Sequence, residues 1–213
     1  MVVLGMKMNT NSLVISIVCI ACFLVVAFSL NTAFLEKVDQ LALTWAESIR
    51  SEPVTAVMHG FAFLGATKTV FVLTGALLII LLVVRASHKE LAFTAVTMAA
   101  TGLVNLFVKE WVERERPAQY MLVELSSYSF PSGHSMGAMS FYTVLTFLIW
   151  KRVNKQRHRI AFVVFASLMI LIMGFSRLYL GVHYLSDVIS GYLLSGSLVF
   201  FLFWLFQPRK SNG

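Results

Sequence analysis

Hydrophobic positions fall in long uncharged blocks along this chain, broken by short polar stretches. The first block, Leu13 to Leu30, follows a tail whose only charged side chain is Lys7. A helix that crosses a bilayer uses about 20 apolar residues, and a cleaved signal has a shorter apolar core with a small-residue cleavage site. The block therefore reads as a transmembrane helix. Further spans are predicted over Ala66 to Val84, Leu91 to Val108, Ser135 to Trp150, Ile160 to Phe175 and Val188 to Phe206. Between the first two spans the period changes. Val38, Leu41, Ala42, Trp45 and Ile49 recur at helical spacing, with Glu36, Lys37, Asp39, Gln40, Glu47 and Arg50 on the other side. That pattern predicts an amphipathic helix lying flat at the membrane surface. From Val54 to Val84 the chain stays apolar, and as one helix it would be about 46 Å long, more than a membrane core needs. A break is expected near Gly65. The predicted fold is all-α: a six-transmembrane-helix bundle with an interfacial helix between the first two spans, forming a single domain over residues 1–213.

Composition agrees with the pattern and narrows the function. The chain is 58% apolar and 13% charged, with mean hydropathy +0.80; soluble domains carry about 25% charged residues. Six spans take about 120 residues and leave roughly 90 for tails and connections, so the chemistry must sit in short loops and at helix ends. The net charge of +7 suits lipid head groups better than nucleic acid when Lys and Arg flank membrane helices. Cys19 and Cys22 share one helix face within the first apolar run and lack the second pair that a zinc site needs. No protein partner is evident, and the expected partners are membrane lipids.

Orientation follows from the basic side chains. The tails and even-numbered connections hold ten of the seventeen Lys and Arg but only one acidic residue, Glu90. The odd-numbered connections hold the other seven, with nine acids. The positive-inside rule puts both termini in the cytoplasm and the odd-numbered connections outside.

The candidate chemistry lies in those outer connections, in three groups. They are Lys109 to Pro117 (KEWVERERP), Pro131 to His134 (PSGH) and Ser176 to Asp187 (SRLYLGVHYLSD). Lys109, Arg116 and Arg177 are three cations able to neutralise a phosphate dianion, the two guanidinium forks bidentately. Ser132 precedes a helix, so the amides of Gly133 and His134 would sit at a helix N-terminus, where anions bind. His183 and Asp187, four apart, share a helix face, where the carboxylate can fix the imidazole tautomer. His134 and His183 then supply a general acid and a nucleophile or base. Arg114 alternates with Glu113 and Glu115 and reads as a solvated surface charge. His59 and Lys68 read as surface residues, and His88 and His158 fall in cytoplasmic loops without a role.

The ordered set K-x6-RP, PSGH and SR-x5-H-x3-D resembles the three-part signature of the type 2 phosphatidic acid phosphatase superfamily. Within it the likeness is to the small bacterial membrane lipid phosphatases. The motifs span Lys109 to Asp187, and the span layout extends the likeness to nearly the whole chain. The resemblance implies a bacterial cell-membrane enzyme with its site on the extracytoplasmic side and no metal or cofactor. It implies that His183 attacks phosphorus to give a phosphohistidine, oriented by Asp187, and that His134 protonates the departing lipid oxygen. Lys109, Arg116, Ser132, Gly133 and Arg177 would hold the phosphoryl oxygens. The first substrate implied is phosphatidylglycerophosphate; undecaprenyl pyrophosphate is the alternative, since the two present the same dianion. The short connection between the third and fourth spans lacks the larger insertion of some relatives. Read on the residues alone, a non-enzymatic lipid-binding membrane protein stays open, whereas the related vanadate-dependent haloperoxidases are soluble.

Overall fold

The computed structural model describes residues 2–3 and 6–207, with side chains from Asn11 onward. Apart from a two-residue antiparallel pairing of Val2–Val3 with Met6–Lys7, regular structure among the described residues is helical. The helices are α1 (Met8–Phe28), α2 (Ala33–Ser48), α3 (Glu52–Leu64), α4 (Thr67–Val83), α5 (His88–Val112), α6 (Gly133–Arg152), α7 (Gln156–Tyr179) and α8 (Leu185–Phe206). Within the connection 113–132, Ala118–Tyr120 form one 3-10 turn.

Four helices are long and apolar enough to cross a membrane: Asn11–Phe28 of α1, then α5, α7 and α8. The expected break at Gly65 is present. It caps α3, and α3 and α4 meet at 52°, forming a fifth span if the bent pair counts as one. The six-span expectation is thus met by four or five. The exception is α6, whose first turns carry Gly133, His134 and Ser135. It packs against α5, α7 and α8, so its surface faces helices more than lipid and needs fewer apolar side chains.

Packing inside the bundle relies on small hydroxyls as well as on Leu and Phe. Thr101 Oγ1 lies 2.6 Å from Ser140 Oγ, which lies 2.5 Å from Ser195 Oγ, which in turn donates to the Met136 carbonyl at 2.8 Å. This chain of bonds fastens α5, α6 and α8 where water cannot compete, while small side chains let the helices approach closely. Around it Phe147 stacks on Phe203 with centroids 4.0 Å apart. On the outside, Phe28, Phe71, Phe107 and Val83 stand exposed, as a lipid-facing surface requires.

Helix α2 exists where expected, but its buried face differs from the predicted one. Asp39, Leu43 and Ala46 turn inward on α7 and α8, while Phe34, Leu41 and Trp45 are exposed. Asp39, assigned by pattern to the solvated side, is only 1% exposed.

The bundle also sorts its connections by end. Glu90, which closes a capping box with Ser87 at the start of α5, pairs with Lys151 at 3.4 Å and Arg152 at 3.2 Å. The α4–α5 and α6–α7 turns therefore share one end, as the charge pattern predicts. At the other end, Arg50 Nη2 donates to the Tyr120 carbonyl at 2.7 Å and its Nε to the Tyr179 carbonyl at 3.1 Å. The Leu122 amide bonds to the Leu180 carbonyl at 3.0 Å, tying connection 113–132 to the α7–α8 turn.

Gly181 makes that junction possible. Its φ is +68°, and a Cβ there would lie 2.0 Å from the Tyr120 carbonyl oxygen. Gly181→Ala should destabilise the fold by about 2 kcal/mol or more through strain and clash. A lower thermal unfolding midpoint in detergent checks this; an unchanged midpoint would refute it.

Candidate active site

The three polar groups singled out from the sequence meet at the end of the bundle opposite Glu90. Lys109 comes from the last turn of α5, where it is 7% exposed and donates to the Tyr128 carbonyl. Glu113 then takes a left-handed conformation (φ 52°) that ends the helix and turns the chain across the site. Arg116 is fixed along its length: Nε donates to the Ser127 carbonyl at 2.6 Å and Nη1 to the Val182 carbonyl at 2.6 Å. Nη1 also lies 3.3 Å from His183 Nε2.

His183 sits in the tight turn before α8, 2% exposed. Burial pushes its imidazole down to about 4, Arg116 and Lys109 push it the same way, and Asp187 opposes them. The ring is therefore neutral near pH 7. With its hydrogen at Nδ1, toward the carboxylate, the Nε2 lone pair points at the cations.

The carboxylate of Asp187 is fully buried and held by several donors. Oδ2 accepts from Ser129 Oγ at 2.5 Å and from the Tyr184 amide at 2.8 Å, and Oδ1 accepts from Arg114 Nη1 at 2.6 Å. His183 Nδ1 is 3.5 Å from Oδ2, and Ser129 Oγ is 3.4 Å from Nδ1. Ser129 thus stands beside both members of the expected His–Asp pair.

The PSGH segment opens α6 as expected, with different duties for its members. Ser132 Oγ accepts from the Ser135 amide at 3.4 Å, and its own amide donates to the Asp187 carbonyl at 3.0 Å. Its side chain is the N-cap, which leaves the amides of Gly133 and His134 as unbonded first-turn donors. A Cβ on Gly133 would lie 3.0 Å from Asn105 Oδ1, so the close packing of α5 on this turn favours glycine. His134 Nε2 donates to the Ala62 carbonyl of α3 at 3.1 Å, leaving Nδ1 as its other ring nitrogen. The ring is within electrostatic range of Arg177, His183 and Arg116, so the two histidines share one charged cluster.

Arg177, in the last turn of α7, is 4% exposed, and its Nε has no acceptor among the described residues. A buried guanidinium donor without an acceptor costs several times what a hydrogen bond contributes. The charged side chain that acts on it is another cation, Arg116. Such a group is suited to an anion.

Two residues were misjudged from the sequence. Arg114 is not a solvated charge: Nη1 bonds Ser186 Oγ at 2.7 Å and Asp187 Oδ1 at 2.6 Å, and Nη2 bonds Asp39 Oδ2 at 2.8 Å. Its Cζ lies 4.0 Å over the Tyr184 ring. Asp39 is its second counter-ion. The neighbours Glu113 and Glu115 are exposed, as read. Ser129 went unremarked although it stands two residues before the PSGH segment. His59 and Lys68 are exposed as expected.

Two surface concavities of about 320 and 330 Å³ adjoin the site and share Gln40 and Tyr184. One is walled by Asp39 and Arg114, the other by Arg116. The imidazoles of His134 and His183 line neither.

The chain's likeness to known proteins covers the site and most of the bundle. A family model described as the PAP2 superfamily matches residues 90–211. Phosphatidylglycerophosphatase B of Bacillus subtilis (strain 168) is 34% identical over 181 residues, 84% of this chain and 88% of that protein. Lipid A 1-phosphatase of Rhizobium etli is 30% identical over 115 residues, 49% of this chain and 45% of that protein. Among solved structures, a transmembrane PAP2 type phosphatidylglycerolphosphate phosphatase from Bacillus subtilis superposes with a TM-score of 0.81 at 32% identity, over 88% of this chain and 92% of that one. Aquifex aeolicus LpxE, at 22% identity and a TM-score of 0.63, shares the fold over 78% of this chain and 94% of its own. With the three polar motifs gathered inside the matched region, this chain belongs to the PAP2 superfamily and is a membrane lipid phosphatase.

Proposed function

We propose that the protein hydrolyses phosphatidylglycerophosphate to phosphatidylglycerol through a phosphohistidine at His183, without a metal. The observation that carries the reading is the charge of the cluster. Among the described residues Lys109, Arg114, Arg116 and Arg177 face two buried carboxylates, Asp39 and Asp187, which leaves two positive charges uncompensated. A phosphate monoester dianion balances them. Glu110, Glu113 and Glu115 are exposed, where water and salt screen them.

In the first half-reaction His183 Nε2 attacks phosphorus, the bond from phosphorus to the lipid oxygen breaks, and His134 donates a proton to that oxygen. The Ala62 carbonyl keeps the His134 Nε2–H, so the transferred proton is the one on Nδ1. Burial first, and then the cations Arg177 and Arg116, oppose positive charge on His134, and the arriving dianion offsets the cations. The acid is therefore charged only together with substrate. In the second half-reaction His134 takes a proton from water, the oxygen attacks the phosphohistidine, the P–N bond breaks, and inorganic phosphate leaves. Lys109, Arg116, Arg177 and the amides of Gly133 and His134 hold the phosphoryl oxygens as charge shifts, with Ser132 fixing the helix start. The substrate choice is supported by the 34% identical Bacillus subtilis relative, named for this lipid.

On this reading the protein is one domain in a bacterial cell membrane. The bent α3–α4 pair and α6 complete six spans, α2 lies at the surface, and Trp45 and Phe34 meet the lipid interface. The ten basic side chains of the tails and even-numbered connections support cytoplasmic termini and an extracytoplasmic site.

Three measurements test this. Rapid quenching of protein turning over ³²P-labelled lipid should trap an acid-labile, base-stable phosphoprotein, absent in His183→Ala, and excess EDTA should leave turnover unchanged; strict dependence on added divalent metal would sink the mechanism. In a panel of phosphatidylglycerophosphate, phosphatidic acid and undecaprenyl pyrophosphate at matched surface concentration, the first should show the highest kcat/KM.

Because His183 must be neutral to attack, the acid limb of kcat/KM should fall near pH 4, below the ordinary imidazole range. A limb near pH 6.5 would mean that burial does not set this group.

Arg177→Met should separate stability from function. Removing a buried charge whose Nε has no acceptor among the described residues should hold or raise the thermal midpoint of ligand-free protein, while kcat/KM drops by about 100-fold or more and stabilisation by vanadate disappears. Retained stabilisation by vanadate would place the anion elsewhere.

A further inference from the structure

The charged groups of the site form two layers. The first, around His183, holds Asp187 on α8, Lys109 on α5, His134 on α6 and Arg116 in the connection 113–132, with Arg177 of α7 beside His134 and Arg116. The second lies behind Asp187, and among the described residues its ion pairs reach the first layer through Asp187. There the two edges of the Arg114 fork hold two carboxylates, Asp187 Oδ1 at 2.6 Å and Asp39 Oδ2 at 2.8 Å. Asp39 is also bonded to the start of α8: Oδ1 accepts from the Ser186 amide at 2.9 Å and Oδ2 from Ser186 Oγ at 2.6 Å. Helix α2 thus reaches the reacting histidine through Asp39, Arg114 and Asp187 in turn.

The geometry of Asp187 gives this relay a purpose. At 3.5 Å the carboxylate is too far from His183 Nδ1 for a strong hydrogen bond, and Oδ2 is shared with Ser129 and Tyr184. A small rotation about the Asp187 side chain would lose the imidazole altogether. The Arg114 bond to Oδ1 blocks that rotation, and the planar fork does so only if its other edge is itself held, which Asp39 does. Asp39 has a second effect. It keeps Arg114 neutralised and turned away from the phosphate cluster, so that the guanidinium does not compete with Arg116 and Arg177 for the anion.

We propose that Arg114 and Asp39 are positioning residues for the phosphoryl-transfer histidine: helix α2, through this two-carboxylate clasp, fixes the catalytic aspartate and sets the charge that His183 feels. The inference rests on the reading of His183 as the nucleophile. It gives the exposed apolar side of α2, with Phe34, Leu41 and Trp45, a route to the chemistry: whatever holds that helix at the lipid surface also holds Asp187. Lipid contact and catalytic alignment are then two properties of one element.

The test is steady-state kinetics of the full chain in detergent micelles containing a lipid phosphate. Variants are Arg114→Gln, Arg114→Lys and Asp39→Asn, with His183→Ala alongside. Arg114→Gln should lower kcat by about 100-fold with KM nearly unchanged, because orientation and not binding is lost. Arg114→Lys should recover part of the loss, since an ammonium keeps the charge but cannot hold both carboxylates. The acid limb of kcat/KM should move in opposite directions. Removing the Arg114 charge leaves Asp187 less compensated, favours a protonated His183 and shifts the limb to higher pH. Removing the Asp39 charge leaves Arg114 less compensated and shifts it to lower pH. Packing damage alone would not give shifts of opposite sign.

Vanadate inhibition and the thermal midpoint report whether each variant keeps a folded pocket. If Arg114→Gln does not fold, the isosteric Asp39→Asn decides by its acid limb. A raised KM with unchanged kcat would make Arg114 a phosphate ligand and overturn the proposal, as would wild-type kinetics or unmoved acid limbs in folded variants. Full activity in His183→Ala would instead sink the nucleophile and the clasp with it; an inactive His183→Ala beside wild-type Arg114 and Asp39 variants would sink the clasp alone.

Discussion

Excess positive charge in a poorly solvated end of a helical bundle is the constraint around which this molecule is built. Charges away from water are expensive unless matched, and at membrane depth the cost rises further. Arg177 shows this most clearly, since its Nε is buried with no acceptor among the described residues. The surroundings must hold such a group in place against its own solvation. They do so with rigid parts: the α7 helix that carries it, the α7–α8 turn pinned by Arg50 and Leu122, and carbonyls that anchor Arg116 at Nε and Nη1. Preorganised donors of this kind do not need to rearrange when charge moves in the transition state, which is where phosphoryl transfer gains most.

The carboxylates have the opposite task. Asp187 and Asp39 reduce the positive field without cancelling it, and both do so from behind the histidine. Asp187 is held through donors from four directions, namely Ser129, the Tyr184 amide, Arg114 and the neighbouring His183 ring. This many donors fix the direction of the carboxylate. The imidazole it faces is neutral because burial and two cations outweigh the carboxylate, so a lone pair is ready at neutral pH.

Away from the site, the same economy of polar groups runs through the bundle. Hydroxyls of Thr101, Ser140 and Ser195 bond one another across helices, and Ser16 bonds the Ser197 carbonyl at 2.9 Å to fasten α1 to α8. Glu90 gathers two basic residues at the far end. Polar side chains are few, and most of those buried have a partner that joins two elements.

The linear order of residues settled the helical class, the break at Gly65 and the grouping of connections at two ends, and it singled out Lys109, Arg116, Arg177, His134, His183 and Asp187, which the fold brings to one end of the bundle. These were legible because hydropathy periods and motif spacings are local, and because a cation at an apolar helix end is costly wherever the chain goes. The inner role of Asp39 and Arg114 was not legible. A carboxylate on an amphipathic helix and an arginine between glutamates look solvated in any one-dimensional pattern, and only the docking of α2 against α8 supplies the partners that make them buried. For the same reason α6 looked like an ordinary span, when its neighbours and not lipid cover it. Ser129 gained its place from the fold of connection 113–132, which brings its hydroxyl to a carboxylate 58 positions away. Sequence determined which charges the molecule owns; tertiary packing decided which of them face one another, because pairing energies depend on distance and solvent exclusion, and neither is written in the order of residues.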